Sequence, residues 1–260
     1  MELYYFISDV HLGLRYGNWQ EREKYFADFL LALPAQTKEL FLLGDIFDFW
    51  YEYEHVIPCG YTRTLGAFAA LRDRGVKIHF FNGNHDIWTY RYFQKGLGFI
   101  MEPQLSLYNI CGKTFVLGHG DDVEKKDRGY QALQWIFKSK FIQFLFSMLH
   151  PWIAFSFGLS WSKHNRLAKS GNSYSFDCSR EPLYKFCVNY AKREGAPDNF
   201  IFGHFHSPTD VRMPECGSRF MILGDWIHNP SCIVFNGEEL RYERLKPPCH
   251  PVEPIQVQRL

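Results

Sequence analysis

A chain of 260 residues, 46% hydrophobic and 18% aromatic, is long enough for one α/β core with an insertion or for two small domains. A formal net charge of +1 argues against the broad basic face of a general nucleic-acid binder, while leaving room for a basic pocket around one anionic ligand. Seven scattered cysteines (Cys59, Cys111, Cys178, Cys187, Cys216, Cys232, Cys249) without a CxxC pair read as reduced, mostly buried thiols of a cytosolic protein, which excludes a disulfide scaffold.

The N-terminus, MELYYFISDV, enters an apolar run at once and has neither a basic segment nor a small-residue cleavage site, so no signal peptide is expected. Strands are predicted at Leu3 to Ser8, Leu40 to Leu43 and Lys77 to Phe81, each short, apolar and closed by turn residues. Helical spacing at Glu21 to Leu33 and Thr62 to Arg74 separates them, giving βαβαβ with polar residues where strands end. Leu105 to Ile110 and Thr114 to Leu117, joined through Cys111-Gly112-Lys113, predict a hairpin. Residues 123–197 read as a helical insertion, with helical spacing over Tyr130 to Gly158 and again over Ser179 to Arg193. Strands resume at Asn199 to Phe202, Arg219 to Leu223, Cys232 to Phe235 and Leu240 to Glu243, and residues 246–260 form a proline-rich tail. No apolar stretch reaches membrane-spanning length.

Five small motifs follow predicted strands: Asp9-x-His11, Gly44-Asp45-x-x-Asp48, Gly83-Asn84-His85-Asp86, Gly118-His119-Gly120 and Gly203-His204-x-His206. Singly each is a common turn or a core histidine; together, and in this order, they read as ligands for two divalent cations. Two cations held close together require a bridging carboxylate, and Asp45 is the candidate. Asp9, His11 and one histidine of the His204/His206 pair complete one site; Asn84, His119 and the other histidine complete the second. Imidazole, carboxylate and amide oxygens together suit manganese, iron or zinc better than calcium. Such a pair clamps phosphate oxygens and lowers the pKa of a bound water, which points to phosphoester hydrolysis with Asp45, Asn84 and His85 at the reacting centre. His85 is a candidate phosphate contact or proton donor, while Asp48 and Asp86 are candidates to hold ligand histidines in one tautomer.

These motifs resemble the calcineurin-like metallophosphoesterase superfamily over residues 1–122 and 198–245. The resemblance implies a four-layer α-β-β-α sandwich, one metal held by Asp9, His11, Asp45 and His206, and a second by Asp45, Asn84, His119 and His204. A narrower resemblance, to the UDP-2,3-diacylglucosamine pyrophosphohydrolases of the lipid A pathway, rests on His119-Gly120-Asp121, Asp127-x-Gly129-Tyr130-Gln131-Ala132 and Trp161-Ser162-Lys163 with Arg166 and Lys169. It implies release of UMP and a 2,3-diacylglucosamine 1-phosphate by attack at the α-phosphorus; of the metals that suit the ligands, manganese is the one expected. It also implies substrate contacts from Asn84, His85, Asp127, Tyr130, Ser162, Arg166, Lys169 and His204, under a helical lid that covers the acyl chains. Peripheral association with the cytoplasmic face of a Gram-negative inner membrane follows from the same resemblance. Two residues depart from that family's pattern: His85 stands where many members carry Arg, and Arg166 where Asn is common.

The side chains of the insertion agree with a lipid substrate. Trp135, Ile136, Phe137, Phe141, Phe144, Leu145, Phe146, Leu149, Trp152 and Phe155 are too apolar for a solvated flap, and Lys138, Lys140, Lys163 and Lys169 interleave with them. A phosphatase or phosphodiesterase for a soluble nucleotide would use the same metals beneath a polar insertion. A nuclease would need a basic stripe, and a non-catalytic scaffold of the same fold would lack ligands that are all present here.

Overall fold

The computed structural model describes residues 1–16, 19–121, 137, 139–156, 158, 177, 180–228 and 230–245. Four parallel strands, β1 (Leu3–Ile7), β2 (Thr37–Leu43), β3 (Lys77–Phe81) and β4 (Ile100–Glu102), make up four of the six strands of the first sheet. The second sheet opens with the hairpin β5 (Leu105–Ile110) and β6 (Lys113–Gly118), followed by β7 (Asn199–Phe202), β8 (Thr209–Arg212) and β9 (Arg219–Ile222). The chain then returns to the first sheet as β10 (Ser231–Phe235) and β11 (Leu240–Arg244). Sheet orders are β11-β10-β1-β2-β3-β4 and β5-β6-β7-β9-β8, with β6, β7 and β9 mutually parallel.

The strand runs are apolar on both faces because each sheet is covered twice. Alternate residues Phe6, Phe41, Leu43 and Phe81 meet Phe115, Leu117, Ile201 and Met221 of the opposite sheet in a dry layer. Phe6 stacks on Phe41 and on Phe115, with ring centroids 5.0 Å and 5.7 Å apart. The other face of the first sheet is covered by α1 (Trp19–Leu31) and α2 (Thr62–Asp73), whose Phe26, Ala27, Leu30, Ala67, Phe68 and Leu71 recur at helical spacing. No side chain of its own caps the start of α2; Glu23 of α1 instead accepts the Thr64 N–H at 3.0 Å.

Lys140–Ser147 forms helix α3, and Pro182–Glu194 forms α4. The helix α4, opened by Pro182 at a position where no N–H is needed, buries Leu183, Tyr184 and Cys187 against Val116, Phe200, Phe202, Phe220 and Ile222. The layers therefore run α-β-β-α, the arrangement expected from the motif resemblance. Of the helical run expected over Tyr130 to Gly158, the described residues form α3 and a second helical stretch at 151–156. The break falls where Pro151, which lacks an N–H, can open a helix but cannot extend one.

Two short strands escaped the sequence. β4 has three residues and β8 is the polar Thr-Asp-Val-Arg, so neither carries an apolar run. Cysteines also differ from expectation: all described ones are free, but Cys59 and Cys111 are exposed while Cys187 and Cys232 are buried. Among the described residues no helix is long and apolar enough to cross a membrane.

Phe41 sits at the centre of the inter-sheet layer, between Phe6, the His79 ring at 4.5 Å and Tyr108. Phe41→Ala is expected to lower unfolding free energy by about 3–5 kcal/mol, read as a fall in the urea midpoint at unchanged slope.

Candidate dinuclear metal centre

The strand ends of both sheets converge. Asp9 and His11 follow β1, Asp45 follows β2, Asn84 and His85 follow β3; from the opposite sheet His119 follows β6 and both His204 and His206 follow β7. Three bonds join the two groups across the sandwich. His119 Nδ1–H donates to the Leu43 carbonyl at 2.8 Å, the His204 N–H donates to Asp9 Oδ2 at 2.9 Å, and the Trp226 N–H donates to the Asp9 carbonyl at 3.0 Å.

Such crowding bends the backbone. Asp9, His11, Asp45, His204 and His206 all have φ between 49° and 70°, a left-handed conformation uncommon for residues with a Cβ. Among the described residues only Cys111, in the β5–β6 turn, shares this conformation outside the glycines. Strain gathered on residues that carry chemistry marks a functional site. Two glycines complete the geometry. A Cβ on Gly83 would collide with the Asp45 side chain and backbone, and one on Gly203 would lie 2.6 Å from Asp9 Oδ2.

Three groups of donor atoms result among the described residues; one of them, His11, Asp48 and His85, shares His11 with the first of the two described next. In the first, His11 Nε2 and His206 Nε2 face each other at 3.3 Å, and Asp9 Oδ1 lies 3.7 Å and 3.5 Å from them. Asp9 Oδ1 is buried and has no hydrogen-bond donor. In the second, His119 Nε2 lies 3.5 Å from Asp45 Oδ2 and 3.3 Å from Asn84 Oδ1, with His204 completing the group. Asp45 Oδ2 also lies 3.7 Å from His11 Nε2, so this carboxylate stands between the clusters. Imidazole nitrogens and carboxylate and amide oxygens gathered this closely are a donor set that a divalent cation would draw together. These Asp/His clusters suit divalent metal ions.

The electrostatics carry the same demand for positive charge. Burial pushes the Asp9 carboxyl above its usual range, against the pull of His206 and His119. At Asp45 burial also opposes ionisation, but attraction from His119 and His85 outweighs it and holds the group well below its usual value. Burial likewise opposes charging of His119, yet Asp45 draws its pKa well above the ordinary value.

Supporting residues split differently from expectation. Asp48 Oδ1 lies 3.4 Å from His11 Nδ1. Asp86 holds no histidine: its two oxygens accept the N–H groups of Asp45, Ile46, Phe47 and Gly83 at 2.8–3.3 Å, pinning the two ligand loops together. Burial, then the charge of Asp45, raises its pKa to about 7. The carboxylate that backs His206 is one the sequence reading passed over, Asp225, whose Oδ2 lies 3.5 Å from His206 Nδ1. Burial opposes its ionisation, but His206 and His228 hold it well below the usual carboxylate range. Leu223-Gly224-Asp225 follows β9 with the same three residues as Leu43-Gly44-Asp45 at the end of β2, a signal that was available. The His85 N–H donates to Asp45 Oδ1 at 2.9 Å, and its ring Nδ1–H donates to the Asp48 carbonyl at 3.0 Å. Asp127, Tyr130, Ser162, Arg166 and Lys169 lie outside the described residues.

No family profile matches the chain. Individual proteins do. A UDP-2,3-diacylglucosamine hydrolase of Porphyromonas gingivalis is 35% identical over 255 residues, covering 93% of this chain and 97% of that one. Proteins of the same name from Aeromonas salmonicida (28% identical, 95% of each chain) and Neisseria meningitidis (29%, 86% and 90%) align as well. Among solved structures, an archaeal phosphodiesterase aligns over 94% of this chain and 99% of its own at 13% identity with a TM-score of 0.45, too low to add to the fold described above. With its converged strand-end ligands and a relative this similar over nearly full length, the chain belongs to the UDP-2,3-diacylglucosamine hydrolase family.

Proposed function

We propose that this protein hydrolyses UDP-2,3-diacylglucosamine to UMP and 2,3-diacylglucosamine 1-phosphate, a step of the lipid A pathway, at a two-metal centre. The observation that carries the reading is the pair of lone-pair clusters sharing Asp45, in a chain 35% identical to a hydrolase of that name. Asp9, His11, Asp45 and His206 would hold one ion; Asp45, Asn84, His119 and His204 would hold the other, with manganese the metal proposed and iron or zinc compatible with the same donors. When bound, the ions supply Lewis acidity to phosphate oxygens and to the attacking water.

The residues themselves do the positioning. With Nδ1–H given to the Asp48 carbonyl, His85 is left with Nε2 as its second polar atom, and the tie from its backbone to Asp45 keeps the ring beside the ligands. The leaving group of a diphosphate is itself a phosphate with a second pKa near ~6, so its oxygen departs without a full proton. His85 is therefore read as a phosphate-orienting donor. Asn84 joins metal to substrate, and Asp127, Tyr130, Ser162, Arg166, Lys169 and His204 are proposed to hold the glucosamine and phosphates. The division into a core of 1–122 and 198–245, an insertion of 123–197 and a tail of 246–260 belongs to the same reading.

The apolar helices support a lipid substrate. The inward side of the pair, Phe146 and Phe155, packs on Phe49, Tyr51, Tyr53 and Trp88. Phe141, Phe144, Leu145, Met148, Leu149, Trp152 and Ile153 stay exposed, Trp152 by 73%, at spacings that keep them on one side. An apolar stripe of this size left in water is a surface for lipid, and it is read here as covering acyl chains and touching the cytoplasmic face of the inner membrane.

Purified protein with Mn2+ is expected to release UMP from UDP-2,3-diacylglucosamine, and a chelator to abolish release; preference for a soluble nucleotide over the lipid would overturn the substrate. Asp45→Ala and Asn84→Ala should each eliminate turnover. His85→Asn should lower kcat/KM by about tenfold, short of the ~10²–10⁴-fold that removing a general acid costs. Phe144→Glu with Trp152→Glu should lower sedimentation with anionic vesicles while the thermal midpoint holds within about 2 °C, since both side chains are exposed and, among the described residues, belong to none of the core clusters.

A further inference from the structure

The strand-end centre opens to solvent beside two of its histidines. His11 is buried, with His85 at its Nδ1 edge beside Asp48 and His206 at its Nε2 edge. The ring centroids of both flanking histidines lie 5.0 Å from that of His11, and their side chains are 18% and 31% exposed. The His85 edge adjoins the aromatic shelf of Phe49 and Trp88, on which the apolar helices pack. Two other rings stand at the His206 edge. Asp225 Oδ2 faces His206 Nδ1 at 3.5 Å and its Oδ1 faces His228 Nδ1 at 3.4 Å. The His228 ring lies 6.0 Å from that of Tyr16, with the planes tilted by 55°.

Both rings are left in water while the backbone beneath them is fixed. Tyr16 is 59% exposed and the His228 side chain 61%. The Tyr16 carbonyl accepts an N–H of the buried Arg22 guanidinium at 2.9 Å, and the same group holds the His11 and Leu14 carbonyls. The His228 N–H donates to Asp225 Oδ1 at 2.6 Å, and nearby Trp226 packs against Phe26 and Phe29 with its N–H on the Asp9 carbonyl. Two exposed rings on loops tied to metal-ligand residues make a preformed binding corner, with a face from one ring and an edge from the other. The residues assigned above to metal, phosphate, glucosamine and acyl chain leave the uracil without a partner.

The corner suits that base. A phenol ring offers a stacking face to any base, and a base lying on it turns its edge to the tilted imidazole. With Asp225 at Nδ1 the His228 ring proton sits there, and Nε2 is left as an acceptor. Uracil carries N3–H as a donor, whereas cytosine carries a lone pair at N3. We infer that Tyr16 and His228 form a uracil subsite, in which Tyr16 stacks on the base and His228 Nε2 accepts its N3–H. The substrate then lies across the metal centre with its nucleoside at the His206 edge and its acyl chains at the His85 edge. The inference rests on the UDP-2,3-diacylglucosamine reading above.

The test is calorimetric binding of UMP and CMP to the full chain in Mn2+, beside turnover of UDP-2,3-diacylglucosamine. The two nucleotides bring the same phosphate and ribose, so their ratio reads the base alone. UMP is expected to bind about tenfold tighter than CMP or better. Tyr16→Ala should weaken both about 10–100-fold and raise KM with kcat within about threefold, while Tyr16→Phe stays close to the unaltered chain. His228→Phe should weaken UMP about tenfold and leave CMP within about threefold, which erases the preference. Binding of 2,3-diacylglucosamine 1-phosphate, which has no base, should be the same in all three variants as in the unaltered chain. Thermal midpoints, expected within about 2 °C of one another because both side chains are exposed, control for folding. Equal affinity of the unaltered chain for UMP and CMP, or losses that fall equally on the 1-phosphate, overturn the subsite while leaving the hydrolase reading intact. Failure of the unaltered chain to hydrolyse UDP-2,3-diacylglucosamine overturns that reading, and this inference with it.

Discussion

The packing of the molecule answers to one constraint: lone-pair donors from seven residues must turn toward each other where two sheets end. Asp45 is the pivot. It lies within reach of His11 and of His119, which belong to different sheets, and its backbone N–H is held by Asp86. Like-directed lone pairs repel, so the arrangement survives only because the surrounding backbone leaves the side chains no other position. The dry Phe6–Phe41–Phe115 layer presses the sheets together below the site, and the Leu43, Asp9 and Trp226 bonds stitch them at the rim.

This explains why, among the described residues, left-handed backbone outside the glycines gathers on the ligands, with Cys111 in the β5–β6 turn the exception. A left-handed residue with a Cβ costs on the order of 1–3 kcal/mol, and five occur together at the site. Continuing β1 or β2 straight would carry Asp9 and Asp45 past the cluster; the left-handed turn aims each back over its strand end. Gly83 and Gly203 occupy the spots where a neighbouring strand passes too close for any Cβ. Asp86 shows the same economy, since one carboxylate satisfies four amides that the sharp turns would leave unbonded.

Above the site, the apolar helices reconcile two opposing demands by having two sides. Phe146 and Phe155 anchor them on the aromatic shelf of Phe49, Tyr51 and Trp88, the loop residues that follow Asp48 and His85. Their outer side is left apolar. The shelf joins the loops that carry Asp48 and His85 to helices whose outer side is apolar, through a few rings.

Much of this was legible from residue order. Buried parallel strands are apolar along their whole length, so β1, β2, β3, β6 and β7 announced themselves, and a Gly beside Asp, Asn or His at the ends of β2, β3, β6 and β7, with Asp-x-His after β1, marked the ligands. By itself the sequence determined the strand-end chemistry, the α/β alternation and the apolar character of the insertion, because these depend on local residue type and spacing. Which oxygen and which nitrogen face each other was decided only by the tertiary fold. Asp86 looked like a partner for a histidine and proved to be an anchor for amides; Asp225, some 20 residues beyond His206, proved to be the partner. Polar side chains acquire their roles from neighbours brought in across the sandwich, and no local pattern encodes a contact whose two halves lie on different sheets.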